Sequence, residues 1–383
     1  MDINQIAESC IQAIADKVNN LNTLNIIVAG KTGVGKSTLI NSIFREQLAQ
    51  TGLGKPVTDH MRRITKEGVP LAIYDTRGFE LGKNAQDEVK AEILATIREG
   101  LAARDINKAV HCIWYCINTA SNRIEDEEIR WLRALAQDNR DTQVPVIIVL
   151  TQSFSKKAAQ DMKNRILDEN LDVIQVVPVL ATDFEIDDEI VIRSYGLDIL
   201  IRIMAEALPE ELQNTLQNVQ IASLESKKRR AQAAVAAATA AAFGEGFSPI
   251  PLADCAVIIP TQVAMIATIT AIFGLNINKS ILMGFVSSVL GTGGTTLIGK
   301  TLAGSLLKLV PGAGTIAGGA ISGATAGLLT TALGEAYILF MEALYNGEIS
   351  PKDVNTAEGK EKLKALFKFQ KDKLEPPKCL PPE

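Results

Sequence analysis

The chain has no excess of basic residues, few aromatic residues (5%) and few cysteines. Its 383 residues carry 39 lysines and arginines against 44 aspartates and glutamates, a formal net charge of −5. A nucleic-acid-binding body needs a cationic face, so we expect no nucleic acid partner. The five cysteines are odd in number and widely scattered, which argues against a disulfide framework and indicates a reducing compartment. The start, MDINQIAESC, has no basic-then-apolar run, and we expect no secretory signal.

Charge is also scarce in one long stretch of the chain. Residues 231–345 hold seven charged residues in 115 positions and 16 of the 28 glycines. Three segments in this stretch have no charge at all: 255–278, 280–299 and 309–334. A helix over 255–278 would be about 36 Å long, enough for a hydrocarbon core of about 30 Å, although Pro260 and Gln262 interrupt it. The region therefore either inserts into or lies against a membrane, or packs as a soluble helical bundle in which glycines allow close approach.

The composition of residues 22–208 is that of an ordinary α/β domain. Short apolar strands alternate with helical stretches, which predicts a mostly parallel sheet covered on both faces. The six predicted strands are Leu24–Ala29, Met61–Lys66, Val69–Tyr74, Ala109–Ile117, Val144–Leu150 and Ile174–Val179. The expected fold class is α/β, with a six-stranded sheet flanked by helices and a second, all-α domain.

These shifts in composition divide the chain into four segments. Apolar residues recur every three or four positions over 1–21, which predicts an amphipathic helix that packs on the helical domain. The four segments are this helix (1–21), the α/β domain (22–208), a glycine- and alanine-rich apolar helical domain (209–350) and a lysine-rich C-terminal helix and tail (351–383).

The sharpest signal is a glycine-rich loop directly after the first predicted strand. Its residues are Gly30, Lys31, Thr32, Gly33, Val34, Gly35, Lys36 and Ser37, followed by Thr38, and they fit G-x-x-x-x-G-K-[ST]. Glycines let backbone N–H groups wrap a polyphosphate, and the N-terminus of the following helix adds positive potential. We predict that Lys36 reaches the β- and γ-phosphates and that Ser37 places its hydroxyl on Mg²⁺. The alternative is a plain glycine turn between strand and helix.

Two further motifs would complete a triphosphate site. Asp75 and Gly78 stand in a D-x-x-G pattern, where the acid can hold Mg²⁺ through water and the glycine N–H can meet the γ-phosphate. Thr58 can complete the Mg²⁺ shell when γ-phosphate is present, or else belongs to a surface turn closed by Pro56. The predicted metal ligands are thus Ser37, Thr58 and Asp75, and the predicted catalytic residues are Lys36, Thr58 and Gly78.

These three motifs, in this order, resemble the GTPase superfamily that includes Era, septins and other regulatory G proteins. The form GKTGVGKS is most similar to septins, AIG1-type GTPases and immunity-related GTPases. A GTPase domain with an N-terminal helix and a glycine-rich apolar helical region resembles the bacterial relatives of immunity-related GTPases. The resemblance implies GTP and GDP as ligands, Mg²⁺ as cofactor, and a homodimer paired through the nucleotide faces of the GTPase domain.

The chain departs from this superfamily where the base is read. Guanine is usually recognised by [NT]-K-x-D after the fifth strand, whereas this chain has Thr151, Gln152, Ser153 and Phe154. The base-reading aspartate is therefore absent from its usual place, and GTP is implied by the resemblance alone. Asp183, in a later loop, is a candidate substitute. The predicted base-side residues are Thr151, Gln152, Ala181 and Thr182.

A second departure concerns hydrolysis. Ras-like proteins place a water-orienting glutamine directly after D-x-x-G, and this chain has Phe79 there. Catalysis must then come from the switch backbone, from Arg77 or Glu80, or from a second subunit. Lys31 and Arg123 are candidates to touch a nucleotide across a dimer, the alternative being that each is a solvated surface charge.

The interpretation that joins these features is a GTP-binding and GTP-hydrolysing protein, switched by its nucleotide. It would dimerise through its GTPase domain and act at a membrane surface through its helical domain. The basic cluster Lys227–Arg230 would face an anionic leaflet, or else form a solvated helix face. Two alternatives stay open: a non-hydrolysing scaffold, in which Phe79 marks lost catalysis, and an integral membrane protein gated by its GTPase domain. The expected location is the cytoplasm, with peripheral or integral membrane attachment as the further option.

Overall fold

The computed structural model describes residues 3–44, 53–56, 61–76, 82–121, 123–187, 189–245, 250–251, 258–290, 320–321, 323–363 and 365. The chain forms two compact units. One unit, Leu21–Ser226, contains the large sheet, and the other, Met1–Asn20 with Lys227–Glu383, is built mainly from helices.

Seven strands form one sheet in the first unit. They are β1 (Leu24–Ala29), β2 (Leu53–Pro56), β3 (Met61–Thr65), β4 (Leu71–Thr76), β5 (Cys112–Asn118), β6 (Val146–Thr151) and β7 (Gln175–Pro178). Their order across the sheet is β2-β3-β4-β1-β5-β6-β7. Only β3 runs against its neighbours, and the pairs from β4 to β7 are parallel. The predicted α/β class with a mostly parallel sheet is confirmed.

Helices cover this sheet on both faces. They are α2 (Lys36–Ile43), α3 (Gly82–Ala102), α4 (Asp126–Asp138), α5 (Lys156–Asp168), α6 (Leu197–Ala207) and α7 (Glu210–Val219). Alternate residues of β1 enter two hydrophobic clusters, because side chains on a strand point to opposite faces. Ile26 joins a cluster with Leu200 of α6, and Ile27 joins a second with Ile93 of α3. A short hairpin, β8 (Phe184–Glu185) and β9 (Val191–Ile192), follows β7.

The sheet has one strand more than the six predicted. The additional strand, β2, has the sequence LGKP, in which glycine and proline are typical of a turn. It lies at the sheet edge and pairs with β3 alone among the described strands. Proline is tolerated at an edge because its nitrogen has no hydrogen to donate to a ladder.

The structure also groups residues 209–226 with the sheet unit, whereas the sequence-based division began the helical domain at 209. Leu212, Leu216 and Val219 of α7 are fully buried in the same cluster as Leu24. Residues 209–226 are polar in composition, yet α7 within them is amphipathic, and its apolar face completes the core against the sheet.

Helices make up most of the described residues of the second unit. They are α1 (Ile3–Asn19), α8 (Leu224–Glu245), which enters from the first unit, α9 (Ile258–Phe273), α10 (Lys279–Leu290) and α11 (Gly323–Tyr345). A pair of two-residue strands, β10 (Ile250–Pro251) and β11 (Ala320–Ile321), is antiparallel. α1 packs along α9 and also contacts α10, and it buries Ala7, Cys10 and Ile14.

Small residues bring α8 and α11 close together. A Cβ atom on Gly327 would collide with the ring of Phe243, and one on Gly334 would lie 2.5 Å from a methyl group of Val235. The hydroxyls of Thr239 and Thr331 hydrogen-bond across the same interface at 2.8 Å. The glycines in this region therefore serve close helix packing.

The basic cluster Lys227–Arg230 is not the exposed patch that the sequence suggested. Lys227 is fully buried, and its ammonium group donates to the carbonyl oxygens of Ile272 and Phe273 at the end of α9 (3.1 and 3.2 Å). Lys228 pairs with Glu342 of α11 at 3.0 Å. Lys227 thus stabilises the helical unit from inside, because a lysine can satisfy the last carbonyls of a helix. Lys228 adds a partly exposed ion pair between α8 and α11.

Among the described residues, one helix is long and apolar enough to cross a membrane. The window Ala326–Tyr345 has 20 residues and a mean hydropathy of 1.3, and 71% of it is buried within the protein. A core helix of a soluble protein can have the same length and composition.

The uncharged segment 255–278, expected as one helix of about 36 Å, contains the shorter α9, of 16 residues and about 24 Å. Pro260 lies in its first turn, where an amide hydrogen is not needed. In segment 309–334, residues 309–319 and 322 lie outside the described residues.

Candidate nucleotide-binding site

The glycine-rich loop lies between β1 and α2, at the carboxyl edge of the sheet. Gly33 and Gly35 have positive φ angles of 75° and 93°, a conformation that favours glycine. A Cβ atom on Gly30 would collide with the carbonyl oxygen of Cys116 on β5, so only glycine fits there. Gly35 is the N-cap of α2, which leaves the first amide hydrogens of that helix without a helical acceptor. The loop has the backbone geometry of an anion cradle.

Lys36 extends back across this loop. Its ammonium group donates to the carbonyl oxygens of Gly30 (2.8 Å) and Lys31 (3.1 Å). The next two side chains, Ser37 and Thr38, are exposed in the first turn of α2. One cation and two hydroxyls therefore surround the cradle, which suits a polyphosphate with Mg²⁺.

Lys31 forms ion pairs within its own chain. Its ammonium group pairs with Glu125 (3.1 Å) and Glu128 (3.2 Å) of the same chain. Glu128 is buried and also accepts a hydrogen bond from the hydroxyl of fully buried Tyr115 (2.9 Å). These contacts tie the phosphate loop to the start of α4. The side chain of Lys31 is thus held within its own chain by two carboxylates.

Asp75 lies at the end of β4, beside the phosphate loop. β4 is the parallel neighbour of β1, and Asp75 pairs in register with Val28, two residues before Gly30. Its Oδ1 atom is buried and has no hydrogen-bond partner among the described residues. Burial raises the pKa of this carboxyl group, and the positive charges of Lys36 and Arg62 oppose that shift. A buried carboxylate oxygen without a partner, next to a phosphate cradle, suits a bound cation or its water shell.

Arg62 is a site residue that sequence reasoning missed. It lies on β3 directly opposite Asp75 in the antiparallel register, so the two side chains share one face of the sheet. Arg62 is exposed and acts electrostatically on Asp75. No sequence motif marks it, because its position depends on the register of two strands. It adds a second positive charge near the predicted Mg²⁺ and phosphate position.

Thr151 and Gln152 lie against the phosphate loop, as members of a base-side loop should. The hydroxyl of Thr151 lies within hydrogen-bonding distance of the carbonyl oxygens of Val34 and Ile117, which share its one hydrogen. The side-chain amide of Gln152 donates to the carbonyl oxygen of Gly33 at 3.0 Å. Gln152 adopts a left-handed backbone conformation with φ of 50°, which is uncommon for a residue with a side chain.

The loop after β7, which contains Ala181 and Thr182, lies beside the loop after β6. Ser153 N–H donates to the carbonyl oxygen of Val179 (3.2 Å), and the hydroxyl of Tyr195 donates to the carbonyl oxygen of Ser153 (2.8 Å). One backbone hydrogen bond and one from the Tyr195 side chain therefore hold this region together at the carboxyl edge of the sheet.

The carboxylate of Asp183, the candidate substitute for the missing aspartate, is held by two contacts within its own hairpin. One oxygen accepts the N–H of Ser194 (2.7 Å) and the other pairs with Arg193 (2.6 Å). These hydrogen bonds lower the pKa of Asp183. A base would have to compete with both contacts, so the structure gives no free carboxylate at Asp183.

Several predicted site residues lie outside the described residues. They are Thr58, Arg77, Gly78, Phe79 and Glu80. Their roles stay predictions from the sequence.

Comparison with known proteins agrees with this geometry. Residues 25–152 match the family model described as 50S ribosome-binding GTPase, and residues 203–373 match a domain of unknown function, DUF697. Over residues 25–152 the chain is therefore similar to P-loop GTPases. The predicted resemblance to P-loop GTPases is confirmed for these residues. Guanine nucleotide as the ligand and the closer resemblance to immunity-related GTPases stay predictions.

Individual relatives match part of the chain. Translocase of chloroplast 90 from Arabidopsis thaliana is 37% identical over 84 residues, which is 21% of this chain and 11% of the relative. Septin-2 from Rattus norvegicus is 29% identical over 167 residues, 38% of this chain and 45% of the relative. The chain thus spans less than half the length of either relative. The crystal structure of Cdc11 from Saccharomyces cerevisiae is 18% identical, with a TM-score of 0.31 over 51% of this chain and 95% of that one.

Proposed function

We propose that this protein binds GTP and GDP with Mg²⁺ and hydrolyses GTP. The observation that carries the proposal is the arrangement of the phosphate loop and Asp75 at the ends of the adjacent strands β1 and β4. Gly30 to Ser37 would hold the phosphates, Lys36 would neutralise them, and Ser37 and Asp75 would hold the metal ion. When bound, Mg²⁺ neutralises charge on the phosphates. The similarity of residues 25–152 to GTPases supports a guanine nucleotide as a ligand.

We propose that hydrolysis is slow in a single subunit and is completed by a second copy. Phe79 cannot orient water as a glutamine does, so a monomer lacks one catalytic element. Arg123 is exposed, and it is the base that we propose the second copy supplies, because Lys31 is held by Glu125 and Glu128 of its own chain.

We expect the rate of phosphate release per subunit to rise with protein concentration. Charge supplied in trans can raise phosphoryl transfer by about 10³–10⁵-fold. Release from GTP is measured across a wide concentration range, with the molecular mass followed in parallel. Arg123→Ala should flatten the dependence, whereas Lys90→Ala, a lysine paired with Asp138 on the surface, should keep it. A constant rate from a protein that stays monomeric with a GTP analogue would contradict dimer activation, and no release at any concentration would favour the non-hydrolysing scaffold.

We also propose that the helical unit acts at a membrane. The support is the apolar composition of 231–345 and the span-like window Ala326–Tyr345. The burial of Lys227 and the pairing of Lys228 with Glu342 argue that this contact depends on apolar surface more than on the basic cluster. The integral membrane protein remains the alternative, because the same window is long enough to cross a bilayer.

We expect more protein to float with phosphatidylcholine vesicles when a non-hydrolysable GTP analogue is bound than when GDP is bound, by about fivefold or more. A nucleotide shifts such an equilibrium only through different affinities for two protein states. Lys36→Ala, which should not hold nucleotide, is the control and should show no difference. Equal recovery in both nucleotide states would contradict the switch. Protein that resists extraction with alkaline carbonate would favour the integral alternative.

A further inference from the structure

The base of a bound nucleotide would lie over the loops that follow β6 and β7. In an open parallel sheet, ligands bind beyond the carboxyl ends of the strands, where the strand order reverses. Here the chain order reverses at β1, between β4 and β5, and the phosphate loop follows β1. Gln152 contacts the phosphate loop directly through the carbonyl oxygen of Gly33. The residues just after Gln152 therefore lie at the base end of the site.

Two aromatic rings occupy this end. Phe154, two residues after Gln152, packs against Phe184 at the start of β8, with ring centroids 4.3 Å apart and planes inclined by 48°. Phe184 is 41% exposed and Phe154 is partly exposed, so ring surface is open to a ligand. Asp183, the adjacent carboxylate, is engaged with Ser194 and Arg193.

The loops that carry the two rings are held in place by further contacts. Ser153 is fully buried, and its hydroxyl donates to the carbonyl oxygen of Leu150 (2.8 Å) and shares a hydrogen bond with Thr119 (3.0 Å). Tyr195 fixes the carbonyl oxygen of the same serine. A ring that is already positioned loses little entropy when a ligand stacks on it.

We propose that Phe154 and Phe184 form a stacking wall for a purine base, which takes the place of carboxylate recognition of guanine. This inference rests on the proposed function, because it requires a nucleotide in the phosphate loop. Stacking is tolerant of base identity, since every purine has a π-face. Strong discrimination needs buried hydrogen-bonding groups that the wrong base leaves unpaired. The site therefore accepts guanine and adenine nucleotides with affinities that differ by about tenfold or less.

The test measures the affinity of the full chain for non-hydrolysable GTP and ATP analogues and for inorganic tripolyphosphate, all with Mg²⁺. Phe184→Ala should weaken both purine analogues by about 5- to 150-fold, the range of base–aromatic stacking, and should leave tripolyphosphate unchanged. Ile186→Ala is the matched control, because Ile186 follows the same short strand and is 56% exposed. It should change none of the three affinities.

Variants of Phe154 provide the second part of this binding test. Phe154→Ala should reproduce the loss for both purines, and Phe154→Asp should raise the ratio of GTP to ATP affinity by about tenfold or more, because a carboxylate can accept from guanine. The stacking wall is wrong if both alanine variants bind the purines as tightly as the wild type, or if the wild type prefers GTP by more than about 1,000-fold. Wild-type protein that binds tripolyphosphate but no purine would also overturn it. Protein that binds none of the three would instead overturn the proposed function.

Discussion

Lys36→Ala is expected to weaken the binding of Mg²⁺–GTP by about 100-fold or more while the protein stays folded. Hydrogen bonds to a charged group contribute about 1.5–3 kcal/mol each, and a lysine at this position of the loop contacts two phosphates. In the structure, the ammonium group of Lys36 donates only to the carbonyl oxygens of Gly30 and Lys31 among the described residues. Both carbonyls lie in a partly exposed loop, where water can replace the lysine.

The measurement is a titration with a fluorescent GTP analogue, together with thermal unfolding of each variant. Lys90→Ala serves as the control, because it removes a lysine of similar exposure that pairs with Asp138, away from the phosphate loop. The control should bind as the wild type does. If Lys36→Ala bound the triphosphate with unchanged affinity, the loop would be a structural turn and the assignment of the site would fail.

The phosphate loop was predictable because its chemistry is local in the chain. Eight consecutive residues carry the whole cradle, and one apolar strand before them fixes the edge of the sheet on which they lie. Asp75 was predictable for a related reason. It ends an apolar strand, and parallel strands bring their carboxyl ends to the same edge.

Contacts that depend on strand register or on distant packing were not predictable. Arg62 faces Asp75 only because β3 and β4 pair with a particular offset. Lys31 finds Glu128 across a separation of 97 residues, and no periodicity in the sequence links them. Each contact involves an ordinary surface-type residue whose role appears only in three dimensions.

The charge pattern of Lys227–Arg230 did not predict which of its side chains are buried, and the reason is physical. A run of four basic residues usually indicates a solvated face, yet the aliphatic part of a lysine packs well and its ammonium group can satisfy helix carbonyls. Lys227 uses both properties at the end of α9. The sequence of α8 shows four cations but does not show which of them points inward.

Asp75→Asn is expected to lower the affinity for Mg²⁺ in the presence of GTP by about 10- to 100-fold, because the amide lacks the charge that holds the ion or its water. Hydrolysis should fall with it. The measurement is GTP hydrolysis as a function of Mg²⁺ concentration, with Asp138→Asn, an exposed partner of Lys90, as the matched control. An unchanged Mg²⁺ requirement in Asp75→Asn would remove this carboxylate from the metal site.

The pH dependence separates a metal ligand from a structural carboxylate. Burial raises the pKa of Asp75 in the folded protein above its ordinary value. The unfolded chain therefore ionises first, and without a ligand this group lowers the free energy of unfolding as pH rises through the ordinary pKa towards the raised one. Asp75→Asn should for this reason be no less stable at neutral pH without Mg²⁺.

In the wild type, protons compete with Mg²⁺ for the carboxylate, so nucleotide binding should require more Mg²⁺ as pH falls towards the raised pKa. The asparagine variant should lose that component of the pH dependence. A variant that instead unfolds at neutral pH would show that Asp75 supports the fold and not the ion.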